Sequence, residues 1–261
     1  MKTFILENNI EIKNGMIMYI DFNTRQRINK KFQIDLEDIH KRMCSVEYMK
    51  EYQKVKYTKY EEIERISMMP FAYIYYYYFA KNLQIPYPNE FVQTYINMFC
   101  YKKQNEKWAF KKEYDITNRD NFEFRYDALK ARILRSYNTF NREVELLVKL
   151  NKHLTNMEVE YNLYDDLFLG VDLTIYYHNK KVGIAEYVDT ARSKMYKVGK
   201  NQIHNYDKPM IDVVATFNGE NKNVCNYGEV FCYDDNTVQK LERDIKNKVL
   251  TNKKKYVILI A

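Results

Sequence analysis

The stretch GVDLTIYYHNKKVGIAEYVDTARSKMYKVGKNQIHNY, Gly170 to Tyr206, decides how this chain is read. Val171, Leu173, Ile175 and Tyr177 alternate with Asp172, Thr174 and Tyr176, the period of a half-buried strand. His178-Asn179-Lys180-Lys181 reads as a polar turn. Val182, Ile184, Glu186 and Val188 then share one face of a second strand, because side chains repeat every two residues. Asp172 stands near the start of the first strand and Glu186 near the end of the second. A hairpin can set those two carboxylates facing each other across the ladder. Paired carboxylates repel unless a cation lies between them, and a hard divalent ion takes oxygen ligands of this kind. The pattern therefore predicts a metal site. Ala191 to Asn205 reads as a helix with Arg192, Lys194, Lys197 and Lys200 on it, and Gln202 precedes Tyr206 by about one turn.

Upstream, REVELLVKLNKHL (Arg142 to Leu154) has helical periodicity with Asn141 placed to cap it, followed by strand-like MEVEYNLY (Met157 to Tyr164) and an Asp165-Asp166 turn. Downstream, Ile211–Phe217, Gly228–Tyr233 and Tyr256–Ile260 read as strands and Thr237–Leu250 as a helix. Asp189-Thr190 can cap the helix beginning at Ala191, and Asp189 is an alternative ligand to Glu186 if a bulge shifts the strand. Helix, three strands, helix, strand is an order that suggests a small mixed sheet flanked by helices.

The first 137 residues are different. Asn14-Gly15 between IEIK and MIMYIDF is a strong hairpin signal, since both turn residues tolerate positive φ. Asn23 to Lys31 reads as a basic loop. Asp35 caps a helix running through Ile39 and Met43, a second helix begins near Lys59, and Pro70 ends or bends it. Phe71 to Leu83 is a tyrosine-rich run whose near-continuous apolar character points to burial more than to base stacking. Asn89 is placed to cap Glu90–Tyr101, residues 102–121 read as a loop around Trp108, and Phe122–Thr139 as a helix exposing Arg125, Lys130, Arg132 and Arg135. A boundary near Tyr137-Asn138-Thr139 divides the chain into 1–137, a mainly helical accessory region for DNA or a partner, and 138–261.

Of the 261 residues, 46% are hydrophobic, enough for a substantial core. The Lys, Asn, Ile and Tyr bias is that of an AT-rich genome, such as a low-GC bacterium, its phage or a mobile element. The net charge of +7 suits contact with phosphate backbones without demanding it. Cys44, Cys100, Cys225 and Cys232 lack zinc-type spacing, which points to reduced thiols. MKTFILENN is too short for a signal peptide, and Met68–Ala80 too short to span a bilayer. The expectation is a soluble, cytoplasmic protein with no membrane contact. No phosphate loop, dinucleotide fingerprint, GxSxG elbow or HExxH is present, which sets aside nucleotide-driven motors, dinucleotide oxidoreductases and serine hydrolases.

The order of elements and the placement of acids resemble the PD-(D/E)XK nuclease superfamily over roughly Asn138–Phe217. The resemblance implies a restriction-endonuclease-like αβββαβ core, which after the helical amino-terminal region and β-hairpin read above gives an α+β (α/β) fold; the first 137 residues resemble no family. It implies Glu143 (or Glu145), Asp172 and Glu186 as magnesium or manganese ligands, with the Ala185 carbonyl beside them. The lysine the family carries two positions after the second acid is Val188 here, so the resemblance passes its role to the following helix, above all Lys197 and Lys200. Gln202 and Tyr206 are similar to the QxxxY motif of RecB-like exonucleases. The implied activity is divalent-metal-dependent hydrolysis of DNA, endo- or exonucleolytic. Its rivals are a nuclease-like fold without catalysis that binds nucleic acid or a protein partner, itself included, and a transposase or restriction-type subunit active only in a complex.

Overall fold

The computed structural model describes residues 1–45, 61–191, 193–195, 206, 208–251 and 258–260. The fold is α+β. In chain order the elements are α1 (Lys2–Glu7), β1 (Glu11–Lys13), β2 (Met16–Ile20), β3 (Arg27–Lys31), α2 (Leu36–Cys44), α3 (Glu61–Glu64), α4 (Phe71–Asn82), α5 (Pro88–Phe99), β4 (Cys100–Lys102), β5 (Trp108–Phe110), α6 (Tyr126–Leu134), α7 (Tyr137–His153), β6 (Glu158–Asn162), β7 (Leu173–Tyr177), β8 (Lys180–Val188), β9 (Met210–Ala215), β10 (Val224–Tyr227), β11 (Val230–Tyr233), α8 (Asp235–Thr251) and β12 (Ile258–Ile260).

An eight-stranded sheet runs β12-β9-β8-β7-β6-β1-β2-β3. From β3 to β8 all pairings are antiparallel, and β9 lies parallel to both β8 and β12. The Asn14-Gly15 hairpin is present with both residues at positive φ (52° and 67°). The 178–181 turn is tighter than the sequence suggests. His178 and Asn179, at φ 48° and 60°, make the whole turn, and Lys180 and Lys181 already pair with Tyr177 and Tyr176. The basic stretch 23–31 is not all loop, because Arg27–Lys31 forms β3, the outermost strand, and its charged side chains suit an edge open to water.

One face of the sheet carries the core. Ile12, Ile17, Tyr19, Val159, Tyr161, Leu173, Ile175, Val182, Ile184, Ile211 and Val213 belong to a continuous buried cluster with α4, α5, α6 and α7. Tyr73, Tyr75, Tyr76 and Tyr77 are all buried, so the tyrosine-rich helix is packing, as its apolar run indicates. The opposite face carries a smaller cluster of Val171, Ala185 and Met210 with Tyr206 against it.

Several local expectations change. Asp35 does cap α2, its carboxylate accepting from the Glu37 amide at 2.9 Å. Asn89 does not cap the next helix. Tyr87 precedes it, Pro88 takes the first helical position, and Glu90 folds back on the Tyr87 amide at 2.7 Å. Residues 100–110 form a short hairpin, β4–β5, rather than loop. Arg132 and Arg135 are not free surface cations, since Arg132 donates to the Ile63 and Ile66 carbonyls and Arg135 to Glu64. Asn141 is no cap. The helix starts at Tyr137, and Asn141 is fully buried within it, accepting from the Tyr75 hydroxyl at 2.5 Å. The main sheet and the core cluster contain residues from both sides of the expected boundary at 137, through the β1–β6 pairing and the α4–α7 contacts. The four cysteines are free thiols. Among the described residues no helix is long and apolar enough to cross a membrane.

The Tyr75–Asn141 bond gives a test of packing between α4 and α7. Tyr75→Phe removes the donor and leaves a buried amide oxygen unpaired, so it should cost about 1–3 kcal/mol of stability. Urea denaturation measures this as a fall in midpoint at constant slope.

Candidate functional site: a buried acid cluster

Glu186 lies on β8 directly across from Val213 on the parallel strand β9, which fixes its side chain on the core face. The residue is half-buried, yet neither carboxylate oxygen reaches solvent, and neither has a hydrogen-bond partner among the described residues. A buried carboxylate without donors is costly, and natural interiors rarely leave one so.

Asp172 reaches the same place by a bend. The ladder pairs Leu173 with Ile184, so regular counting sets Asp172 opposite Ala185 and not opposite Glu186. The expected face-to-face pair across the ladder is therefore corrected. Asp172 sits in a bend before β7, just after Gly170 at φ 66°. There the alternation slips. Val171 packs with Ala185 and Met210 on the outer face, and the charge of the next residue, Asp172, acts on Glu143 and Glu186 on the core face as well as on Tyr206. The Asp172 backbone N–H still donates to the Ile184 carbonyl at 2.9 Å, and its Oδ2 accepts from the Glu186 N–H.

Glu143 comes from the first half of α7 and is 8% exposed. Burial, then the charges of Asp172, Asp166 and Glu186, pushes its carboxyl well above the usual carboxylate range, with Arg142 opposing. Burial and then Asp172 do the same to Glu186, again with Arg142 opposing. Glu145, the alternative on this helix, has partners of its own, although its charge also acts on Glu186. Its Oε1 accepts from Lys149 at 2.8 Å and lies 3.0 Å from His40 Nε2.

A fourth acid joins this group, one that reads from sequence only as part of a turn. Residues 165–169 form a π-helical turn, a rare element found often at functional sites. Asp166 on that turn accepts from the Tyr161 hydroxyl at 3.2 Å and contributes to the fields at Glu143 and Glu186. Tyr161 is stacked on Tyr76 with ring centroids 3.8 Å apart, so α4 of the amino-terminal half forms one wall of the site. Tyr233 forms another, its hydroxyl donating to the Val213 carbonyl at 3.1 Å. No motif marks these partners. The one available signal for Asp166 is the pair of adjacent acids before Gly170.

Val188 packs against the core, and no cation takes its place on β8. Lys194 pairs with Asp189 at 2.5 Å, and the Thr190 hydroxyl accepts from the Ser193 N–H at 3.1 Å, so Thr190 does the capping. Tyr206 rests on the outer face with Val171, Ala185 and Met210. Arg192, Lys197, Lys200 and Gln202 lie outside the described residues. Among the described residues, no group of three or more His, Cys, Asp or Glu side chains stands arranged to hold a metal ion.

The cluster thus brings Glu143, Asp166, Asp172 and Glu186 into one electrostatic neighbourhood with Arg142, walled by tyrosines. Such a site can take up a proton or bind a cation, because either relieves the mutual repulsion. No family model matches the chain, and neither a curated protein nor a solved structure is significantly similar to it.

Protonation gives the sign of a pH effect. Glu143 and Glu186 titrate higher in the fold than in the unfolded chain, where glutamate titrates near about 4.3. Their contribution to stability is complete below that value and is lost as pH rises through the folded-state values. In chelator, stability should therefore fall with rising pH above about 4.3 and fall less steeply in Glu143→Gln and Glu186→Gln. Urea midpoints collected across pH, wild type against each variant, check this. Parallel profiles would contradict it.

Proposed function

We propose that this protein is a divalent-metal-dependent nuclease acting on DNA, with the acid cluster as its metal-binding centre. The observation that carries the reading is the Glu186 carboxylate, buried without a hydrogen-bond partner among the described residues, with Asp172, Glu143 and Asp166 acting on it or on each other. The donor chemistry is all carboxylate oxygen, which suits magnesium or manganese over softer metals, and both Glu186 oxygens are buried without a hydrogen-bond partner among the described residues. Asp172 and Glu186 would be the first ligands, and Glu143 would join them once an ion draws the acids together. A bound magnesium ion supplies charge neutralisation on the phosphoryl oxygens and a more acidic water.

The chain's own residues have separate tasks. Asp172 is fixed by its two links to β8, one from its amide and one to the Glu186 amide, so both acids are carried by the same pair of strands. Tyr76, Tyr161 and Tyr233 exclude water from the inner side of the cluster. The sequence αβββ followed by a strand parallel to the third, α7-β6-β7-β8 and then β9, agrees with the core that the resemblance implies. The positive net charge supports a polyanionic substrate.

Val188 favours a second reading, in which the same fold binds nucleic acid or a protein partner without cutting. A single experiment separates the two. Plasmid and single-stranded DNA are incubated with magnesium or manganese and wild-type protein, Asp172→Ala or Glu186→Gln. The nuclease reading expects cleavage that falls in either variant by more than the roughly 100-fold that loss of an outer-shell partner costs. Binding without cleavage in all three proteins supports the second reading and overturns the first.

A further inference from the structure

Two cations are buried among the described residues, Lys149 at 1% and Arg142 at 2% exposure. Both lie on α7, but their surroundings differ. Lys149 is fully engaged, with Nζ 2.8 Å from Glu145 and donating to the Tyr233 carbonyl at 2.8 Å. Arg142 keeps its Nε buried with no hydrogen-bond partner among the described residues.

A chain of contacts locates the Arg142 guanidinium. Glu186 pairs in register with Val213. The Val213 carbonyl holds the Tyr233 hydroxyl at 3.1 Å. The Arg142 guanidinium carbon lies 5.8 Å from the centroid of the Tyr233 ring, within cation–π range. Lys149 anchors the backbone of that same Tyr233. The guanidinium is thus held on a ring that is itself fastened to the strand beside Glu186. It is also the chain neighbour of Glu143.

We propose that Arg142 is the internal counter-ion of the acid cluster, the fixed positive charge that β8 does not supply at Val188. It acts as a positioning residue. It offsets one charge of the four carboxylates and keeps Glu143 and Glu186 close on the core face while no other cation is present. Its two attachments differ in kind: the ring of Tyr233 sets its place, and the carboxylates use its charge. This rests on the reading of the cluster as a charged site, and the two fail separately in the experiment that follows.

The experiment is a double-mutant cycle read by thermal unfolding in chelator at alkaline pH, where the cluster carries its negative charge, with wild type, Arg142→Met, Glu186→Gln and the double variant. Arg142→Met keeps the aliphatic length and removes the charge. Leaving buried carboxylates uncompensated should lower Tm on the order of 10 °C. Adding Glu186→Gln should recover at least half of that loss, because the charge that needed the guanidinium is gone. Additive losses would overturn the inference, since a counter-ion and the acid it compensates must be coupled. If Arg142→Met yields no folded protein, recovery of folded protein in the double variant supports the inference and continued failure overturns it. Manganese, added as the ion alone to wild type, tests the reading beneath. A rise in Tm that disappears in Asp172→Ala supports a cation site. No rise overturns that site, while the cycle still decides the role of Arg142 by itself.

Discussion

Repulsion among carboxylates withdrawn from water is the constraint around which this fold closes. Glu186 stands on the apolar face of a large sheet and Glu143 on a helix that shares its core, where the folding energy of a neutral chain would prefer leucine. A buried charge is tolerated when something opposite in sign stands near it, and when the scaffold is rigid enough to prevent escape to solvent. Both conditions are visible. The strand β8, the bend before β7, the π turn at 165–169 and the helix α7 hold the acids, and the Arg142 guanidinium lies 5.8 Å from the centroid of the Tyr233 ring beside them. Structures keep such arrangements at a cost in stability, which is why clusters of perturbed acids so often mark working sites.

The amino-terminal half takes part in that scaffold. Tyr76 of α4 stacks on Tyr161 of β6, which in turn donates to Asp166. Tyr75, one residue earlier, holds Asn141 of α7 two positions before Glu143. His40 of α2 reaches Glu145 and lies on the ring of Tyr227 with centroids 3.5 Å apart. Helices that read from sequence as an accessory region thus hold α7 at two levels, Asn141 and Glu145, and β6 at Tyr161. Lys149 closes the arrangement by joining α7 to β11 through the Tyr233 carbonyl.

How much of this could be read in advance depended on range. Short-range chemistry was legible. Asn14-Gly15 announces its hairpin, Asp35 its helix, and alternating apolar residues mark β7 and β8, with Asp172 just before the first and Glu186 on the second. Longer-range partners overrode local rules elsewhere. Asn141 looks like a cap until a tyrosine 66 residues away claims it. Arg132 looks exposed until the carbonyls of Ile63 and Ile66 are seen to need donors. Strands of three residues, as in β4 and β5, are too short to show alternation at all. Of the site, Asp172, Glu186 and Glu143 stand out by residue type and spacing. Asp166 and Arg142 do not, because one depends on a π turn and the other on which side of α7 faces inward.

The slip at Asp172 has a consequence for how this protein tolerates change over time. Between Gly170 and Leu173 the strand exchanges faces once, and that exchange is what delivers the acid inward. Adding or deleting one residue in this connection would reverse the parity and send the carboxylate out to Ala185 and Met210, leaving every other contact of β7 in place. A change of letter at Val171 alters only local packing. Drift in this segment is therefore free in spelling and confined in length, a rule of counting imposed by geometry.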